Sequence, residues 1–356
     1  MNTDSTGIQP QNRGVRGRAL FRLLARWEMF LLLVLIATFV AGAHVSRYFL
    51  TPSNLSIVLA GMTPVAIVAL PMTLIIITGE IDVSVGSIVG LCASLMAVCL
   101  EHGLPIEAAM LLGVLAGTLA GLINGLIVVY GKLPSLVVTI GTLALYRGVA
   151  QIILNERGVS GFPDWYQNIG FGTIDGTLIP WSTVIFVICF AAFAIYLHWT
   201  HWGRALYAIG NNREAVRFSG ISVHRAMLGV FIASGLMSSL AAIILTAYLA
   251  SARSDTAIGL ELPVITAVVL GGVNIFGGSG TLPGVLIGLL VLAFVQNALG
   301  LAGVTPEEQQ IVTGAVLIVT LIVFGASARF AGLRFGKTTA KSDRELTRIG
   351  TANTHE

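Results

Sequence analysis

The sequence predicts an all-α polytopic membrane protein with about ten transmembrane helices, broken or re-entrant segments, and both termini cytoplasmic. Three observations carry that prediction. Hydrophobic residues make up 55% of the chain and charged residues only 10%, whereas a soluble domain is about a quarter charged. The mean hydropathy is +0.88. Many windows of roughly 17–25 residues hold no charge, and each can cross ~30 Å of hydrocarbon as a helix.

Apolar runs mark ten candidate crossings, near 27–45, 54–78, 83–100, 105–130, 135–154, 180–198, 226–250, 262–273, 282–300 and 309–326. They form a membrane domain over 27–326, between a basic arm at 1–26 and a basic tail at 327–356 that is expected to be disordered. The first run follows Arg13, Arg16, Arg18, Arg22 and Arg26, and its Ala41-Gly42-Ala43 looks like a signal-peptidase site. A signal peptide, however, has an apolar centre of roughly 7–15 residues. This run continues to Val45 after Trp27 and Glu28, so it is expected to be a retained span.

The second and third runs flank TGEIDVSVGS at 78–87. In the fourth, Gly113, Gly117, Gly121 and Gly125 recur every fourth residue, a stripe that lets another helix approach closely. Whether that helix lies in this chain or in a second copy is open. The fifth carries Thr142, Tyr146 and Arg147 as candidate pathway residues. The sixth ends in HWTHW, where His198 and His201 sit at i, i+3 but Trp199 and Trp202 mark an interfacial belt. No metal site is expected there. Cys92, Cys99 and Cys189 lie inside apolar runs and read as small core side chains. The eighth run is short unless the GGVNIFGGSG segment after it also sits at membrane depth.

Basic residues set the orientation. Arg204, Arg213, Arg217 and Arg225 lie between the sixth and seventh runs, and the tail holds Arg329, Arg334, Lys337, Lys341, Arg344 and Arg348. An even number of spans puts these regions and the arginine arm on one side. The opposite connections carry Glu101, Glu107, Glu156, Asp164, Asp175, Asp255, Glu261, Glu307 and Glu308.

TGEIDVSVGS then falls at the cytoplasmic end of the second span. Asp82 can cap the third helix, because a carboxylate beside free N–H groups is favourable. That leaves Glu80 and the glycines unexplained. A second copy aligns with the first: Gly79 with Gly271, Glu80 with Gly272, Asp82 with Asn274, Gly86 with Gly278 and Ser87 with Ser279. Ser84 and Gly277 lie within the same two stretches. Transporters use repeated broken helices to line a path, and irregular backbone at depth needs protein or water to satisfy it. The two stretches are read as a paired inner mouth, with Glu80 as partner to a cation there.

The connection Gly203 to Arg225 is the longest on the cytoplasmic side. Asn211 or Asn212 can cap a short helix through Phe218, with Glu214 in its first turn and Gly220 stopping it. Ala215 and Phe218 offer a small apolar face outside the membrane. With Arg204 and Gly210, these residues read as a docking loop. A phosphate-cradling loop is not recognisable: Gly332-LRF-Gly336-Lys337-Thr338 has three residues between its glycines where the motif needs four.

GEIDVSVGS, LPSLVVTIGTLALYRG (133–148), GRALYAIGNNREAVRFSGI (203–221) and VVLGGVNIFGGSGTLPG (268–284) resemble, in order, the blocks of one family. It is the ribose-type membrane subunits of ATP-binding-cassette importers for monosaccharides. The segment 248–272 is most similar to permeases of autoinducer-2 and rhamnose importers. The autoinducer-2 pattern has no acid in the place of Glu80, which leaves the solute open among autoinducer-2, rhamnose and ribose types.

The resemblance implies a permease in the bacterial inner membrane, with no catalytic residues and no cofactor of its own. ATP and Mg would sit on separate cytoplasmic ATPase subunits. Further implied partners are a second permease, identical or not, a periplasmic or lipid-anchored solute-binding protein, and membrane lipid; nucleic acid is not among them. The loop Gly203–Arg225 would carry the ATPase-docking helix, and transport would follow by alternating access. The rival is an ion-coupled secondary sugar transporter. It would need titratable groups near the midplane, where the sequence offers few beyond Arg147 and Tyr146.

Overall fold

The computed structural model describes residues 27–155 and 157–322. The arginine arm, Glu156, the end of the tenth expected span, and the tail with its near-match at 332–338 lie outside the described residues. The elements in chain order are α1 Trp27–Val45, α2 Pro52–Ile77, α3 Val85–Glu101, α4 Ile106–Gly131, α5 Ser135–Leu154, β1 Gly158–Ser160, α6 Asp164–Phe171 and α7 Trp181–Trp199. They continue with α8 His201–Asn211, α9 Arg213–Phe218, α10 Val223–Leu249, β2 Ser251–Arg253, α11 Glu261–Leu270 and α12 Leu282–Leu301. A last helical run occupies 306–322.

Among the described residues each expected span holds a helix, and seven helices are long and apolar enough to cross a membrane: α1, α2, α4, α5, α7, α10 and α12. Two of the other three are shorter, α3 at 17 residues and α11 at 10, and the last run is described only to residue 322. Both adjoin the breaks that the glycines predicted.

Helix α2 is the axis of the bundle, with 89% of its most apolar window buried. Thr51 caps it, accepting from the Asn54 N–H at 3.4 Å, and Pro52 opens its first turn, where no N–H is needed. Helix α10 runs along α4, α2 and α3. The glycine stripe of α4 is used within the chain: Gly117 lies on Gly235 and Ser239 of α10, and Gly121 on the Phe231 carbonyl and Gly235. A Cβ on Gly117 would stand 2.7 Å from the Gly235 carbonyl oxygen. Gly113 faces Met96 of α3, and Gly125 meets Leu228 and Phe231.

Four of the described elements were not expected. Strands β1 and β2 pair antiparallel, Val159 opposite Ala252. Helix α6 tucks the buried Tyr166 under α10, its hydroxyl bonded to the Ile243 carbonyl at 2.9 Å and Thr246 Oγ1 at 2.6 Å. Helix α8 replaces the loop expected over 203–211. Thr200 caps it, accepting from the Gly203 N–H at 3.1 Å, and Ala205, Leu206 and Ile209 bury one face.

Candidate functional site

Helix α2 ends at Thr78, whose hydroxyl donates to the Ile75 carbonyl at 2.7 Å, and Gly79 turns the chain with φ +79°. The second copy does the same one residue later, with Gly271 closing α11 and Gly272 at φ +92°. The two copies touch. Gly278 N–H donates to the Ile77 carbonyl at 2.8 Å, and a Cβ on Gly277 would stand 2.9 Å from the Gly79 nitrogen.

Helix α8 closes the joint from a third side. Gly210 lies so near Ile77 O and Gly278 N that no Cβ fits between them. Asn211 Nδ2 donates to the Gly278 carbonyl at 3.3 Å, and the Tyr207 hydroxyl to that of Gly280 at 2.8 Å.

Helix α9 follows directly. Asn212 is its cap, accepting from Ala215 N–H at 3.0 Å; Glu214 is in the first turn and Gly220 ends it with φ +80°. Val216 packs inward, whereas Ala215 is exposed and Phe218 is 93% exposed. Arg213 ties this helix to the first copy, its Nη2 donating to the Glu80 carboxylate and, at 3.2 Å, to the Thr78 carbonyl. The expected inner mouth and the expected docking helix are one structural unit. Of the docking residues, Gly203 and Arg204 stand apart: Gly203 packs on the end of α7, and Arg204 is exposed.

Asp82 and Ser84 do not line an opening; they are wholly buried. The helix cap is Ser84, and Asp82 stands two residues before it. Asp82 Oδ1 accepts from the Ser84 N–H at 3.0 Å and hydroxyl at 2.6 Å, and Oδ2 accepts from the Ser234 hydroxyl of α10 at 2.8 Å. Asn124 of α4 donates to Ser84 Oγ at 2.8 Å, and the Tyr146 hydroxyl of α5 bonds Asn124 Oδ1 at 3.1 Å. This network joins four helices, and sequence reading missed Asn124 and Ser234. Their signal was a polar side chain inside an apolar run. Tyr146, expected on a pathway, belongs to this network, and Thr142 is buried with its hydroxyl near the Thr139 carbonyl.

The match between the copies holds at Asp82 and Asn274, since each carboxyl or amide oxygen accepts the N–H two residues on, from Ser84 and Phe276. It fails after that. Gly86 and Ser87 lie in the first turn of α3, while Gly278 and Ser279 are still in an irregular turn, because α12 does not resume until Leu282.

Arg147 is half-buried and bonds backbone from two directions. Its Nη1 donates to the carbonyls of Ser254 at 2.7 Å and Thr256 at 2.9 Å, its Nη2 to that of Gly86 at 3.2 Å. The segment 254–260 leaves the far end of α10 from the docking helix, yet it reaches the first two turns of α3. A Cβ on Gly86 would stand 2.9 Å from the Ala257 carbonyl. The Glu261 carboxylate also lies against Gly86, a position sequence reading had assigned to an outer loop. In the same segment Arg253 bonds Asp255 at 2.9 Å and holds its carboxyl below the usual range.

A family model described as branched-chain amino acid transport system / permease component matches residues 54–321. The chain belongs to this permease family. The permease is 37% identical over 309 residues to the autoinducer 2 import system permease protein LsrD of Escherichia coli (strain K12), covering 85% of this chain and 92% of that protein. The same figures hold for LsrD of Shigella flexneri. No solved structure matches. With seven helices able to cross among the described residues, it is a multi-pass permease of the bacterial inner membrane, and the matched region contains the whole joint between α2, α8 and the second glycine turn.

Proposed function

We propose that this permease is the membrane-spanning subunit of an ATP-binding-cassette importer for a sugar-like solute, with autoinducer 2 the leading candidate. The supporting observation is the joint itself. A short capped helix presents Ala215 and Phe218 to the outside and is tied through Glu80–Arg213 and Gly210 to both broken stretches. A push on α9 therefore moves the ends of α2 and α11 together. Both termini lie in the cytoplasm, where α9 docks on a separate ATPase. A second permease and a solute-binding protein complete the assembly. ATP binding and hydrolysis by the partner switch the side on which the path opens.

The experiment is Ala215→Glu. An unpaired charge in a packed contact costs several kcal/mol, and about 1.4 kcal/mol is already tenfold in an equilibrium. Uptake should fall at least about tenfold with normal membrane levels, since Ala215 is exposed in the subunit alone. Normal uptake would remove α9 from the docking surface.

Glu80→Gln should be milder. The pair is partly exposed, at 12% for Glu80 and 45% for Arg213, so solvent screens it. A loss of roughly two- to fivefold in uptake is expected, in line with about 1 kcal/mol. An unchanged rate at matched expression would make the ion pair incidental.

A further inference from the structure

Two adjoining cavities open between α2, α11, α12 and the last helical run. The one beside α10, of about 450 Å³, is lined by Glu261, Gln296, Gln310 and Thr313 among apolar groups that include Val65 and Pro263. The second, of about 360 Å³, shares Val65, Pro263 and Gln296 and adds Asn297 and Gln309. Each is in the range of roughly 300–1,000 Å³ used for small-molecule sites.

Their polar groups are what call for explanation. Among the described residues the Glu261 carboxylate takes a bond from its own backbone N–H and none from another side chain, and Arg147, the cation that attracts it, is committed to three carbonyls. Gln296 donates to Thr313 at 3.2 Å, which leaves its carbonyl oxygen directed elsewhere. A carboxylate facing lipid within a span costs up to about 2.5–3.5 kcal/mol, so acids there face water or a path. Glu261 also touches Gly86, in the first turn of the helix that follows the first broken stretch. This cavity thus adjoins the start of α11, whose other end runs into the turn held by the joint at α8.

We infer that the Glu261–Gln296 cavity is a recognition site for a neutral polyhydroxylated solute on its way through the permease. The carboxylate accepts two solute hydroxyls, the Gln296 and Gln310 amides donate and accept, and Val65 with Pro263 meets the C–H face. This rests on the importer reading above and adds the place of recognition.

The test uses the full chain with its partners, and ribose, rhamnose and autoinducer 2 as probes. Gln296→Cys should react with a water-soluble thiosulfonate above the level of the parent chain, and one of the three solutes should slow that reaction. Glu261→Gln should raise the apparent KM for the same solute about tenfold or more, at matched membrane levels. If Gln296→Cys stays unreactive, or Glu261→Gln imports with unchanged KM while the parent imports normally, the recognition site is overturned alone. Import of none of the three solutes by the parent would instead overturn the importer reading, and this site with it.

Discussion

Asp82→Leu is expected to abolish uptake and to remove most of the folded protein from the membrane, whereas Asp82→Asn keeps at least about half of both. The buried carboxylate accepts three hydrogen bonds, two from Ser84 and one from Ser234. Leucine leaves those donors without an acceptor in a wholly buried place, at roughly 1–3 kcal/mol each. The sum approaches the total stability of an ordinary domain, about 5–15 kcal/mol. Asparagine preserves Oδ1 for both Ser84 donors. Its amide then donates to Ser234 Oγ, which can turn its own hydrogen away. Immunoblots of membranes and uptake at matched levels decide the matter. Wild-type behaviour of Asp82→Leu would show that the network is dispensable; a dead Asp82→Asn would show that the charge, not the geometry, is needed.

The second large effect belongs to Gly121→Val. The glycine sits against the Phe231 carbonyl and Gly235 backbone, so the new side chain must drive α4 and α10 apart along their shared length. Overpacking typically costs 1–3 kcal/mol, roughly, and more where backbone rather than a side chain must yield. The solubilised protein should lose its single size-exclusion peak. Gly229→Ala on α10 is the control, since nothing lies within 4 Å of its added Cβ. Equal behaviour of the two variants would mean that close approach is not what holds this pair of helices.

Much of this was legible before any coordinates. Each of the ten apolar runs holds a helix among the described residues, and the short helix capped by Asn212 and stopped by Gly220 has the residues expected of it. Local rules sufficed there, because caps and charge-free length act within a few residues. Helix α8 was misread for a physical reason. Gly203 and Gly210 signal loops when viewed locally, but here they are close-approach positions against α7 and the Ile77–Gly278 joint. Apolar Ala205, Leu206 and Ile209 carried the helical period all the same. The buried network was illegible because Asp82, Asn124, Tyr146 and Ser234 are separated by long stretches of chain and only packing unites them. Glu261 was grouped with acidic loops because its place after Asp255 and Gly259 gives no sign that the segment turns inward.

The joint of Ile77, Gly79, Gly210, Gly277 and Gly278 is made of main chain against main chain. Side chains have rotamers and yield when pressed; packed peptide planes have almost no slack. Such a joint has low mechanical compliance, so small displacements are transmitted rather than absorbed. It gathers the end of α2 and the turn after α11, which belong to distant parts of the chain, into one stiff linkage. Their motions must then keep a fixed phase, and a stroke that advanced one while leaving the other behind would break the Gly278–Ile77 hydrogen bond first.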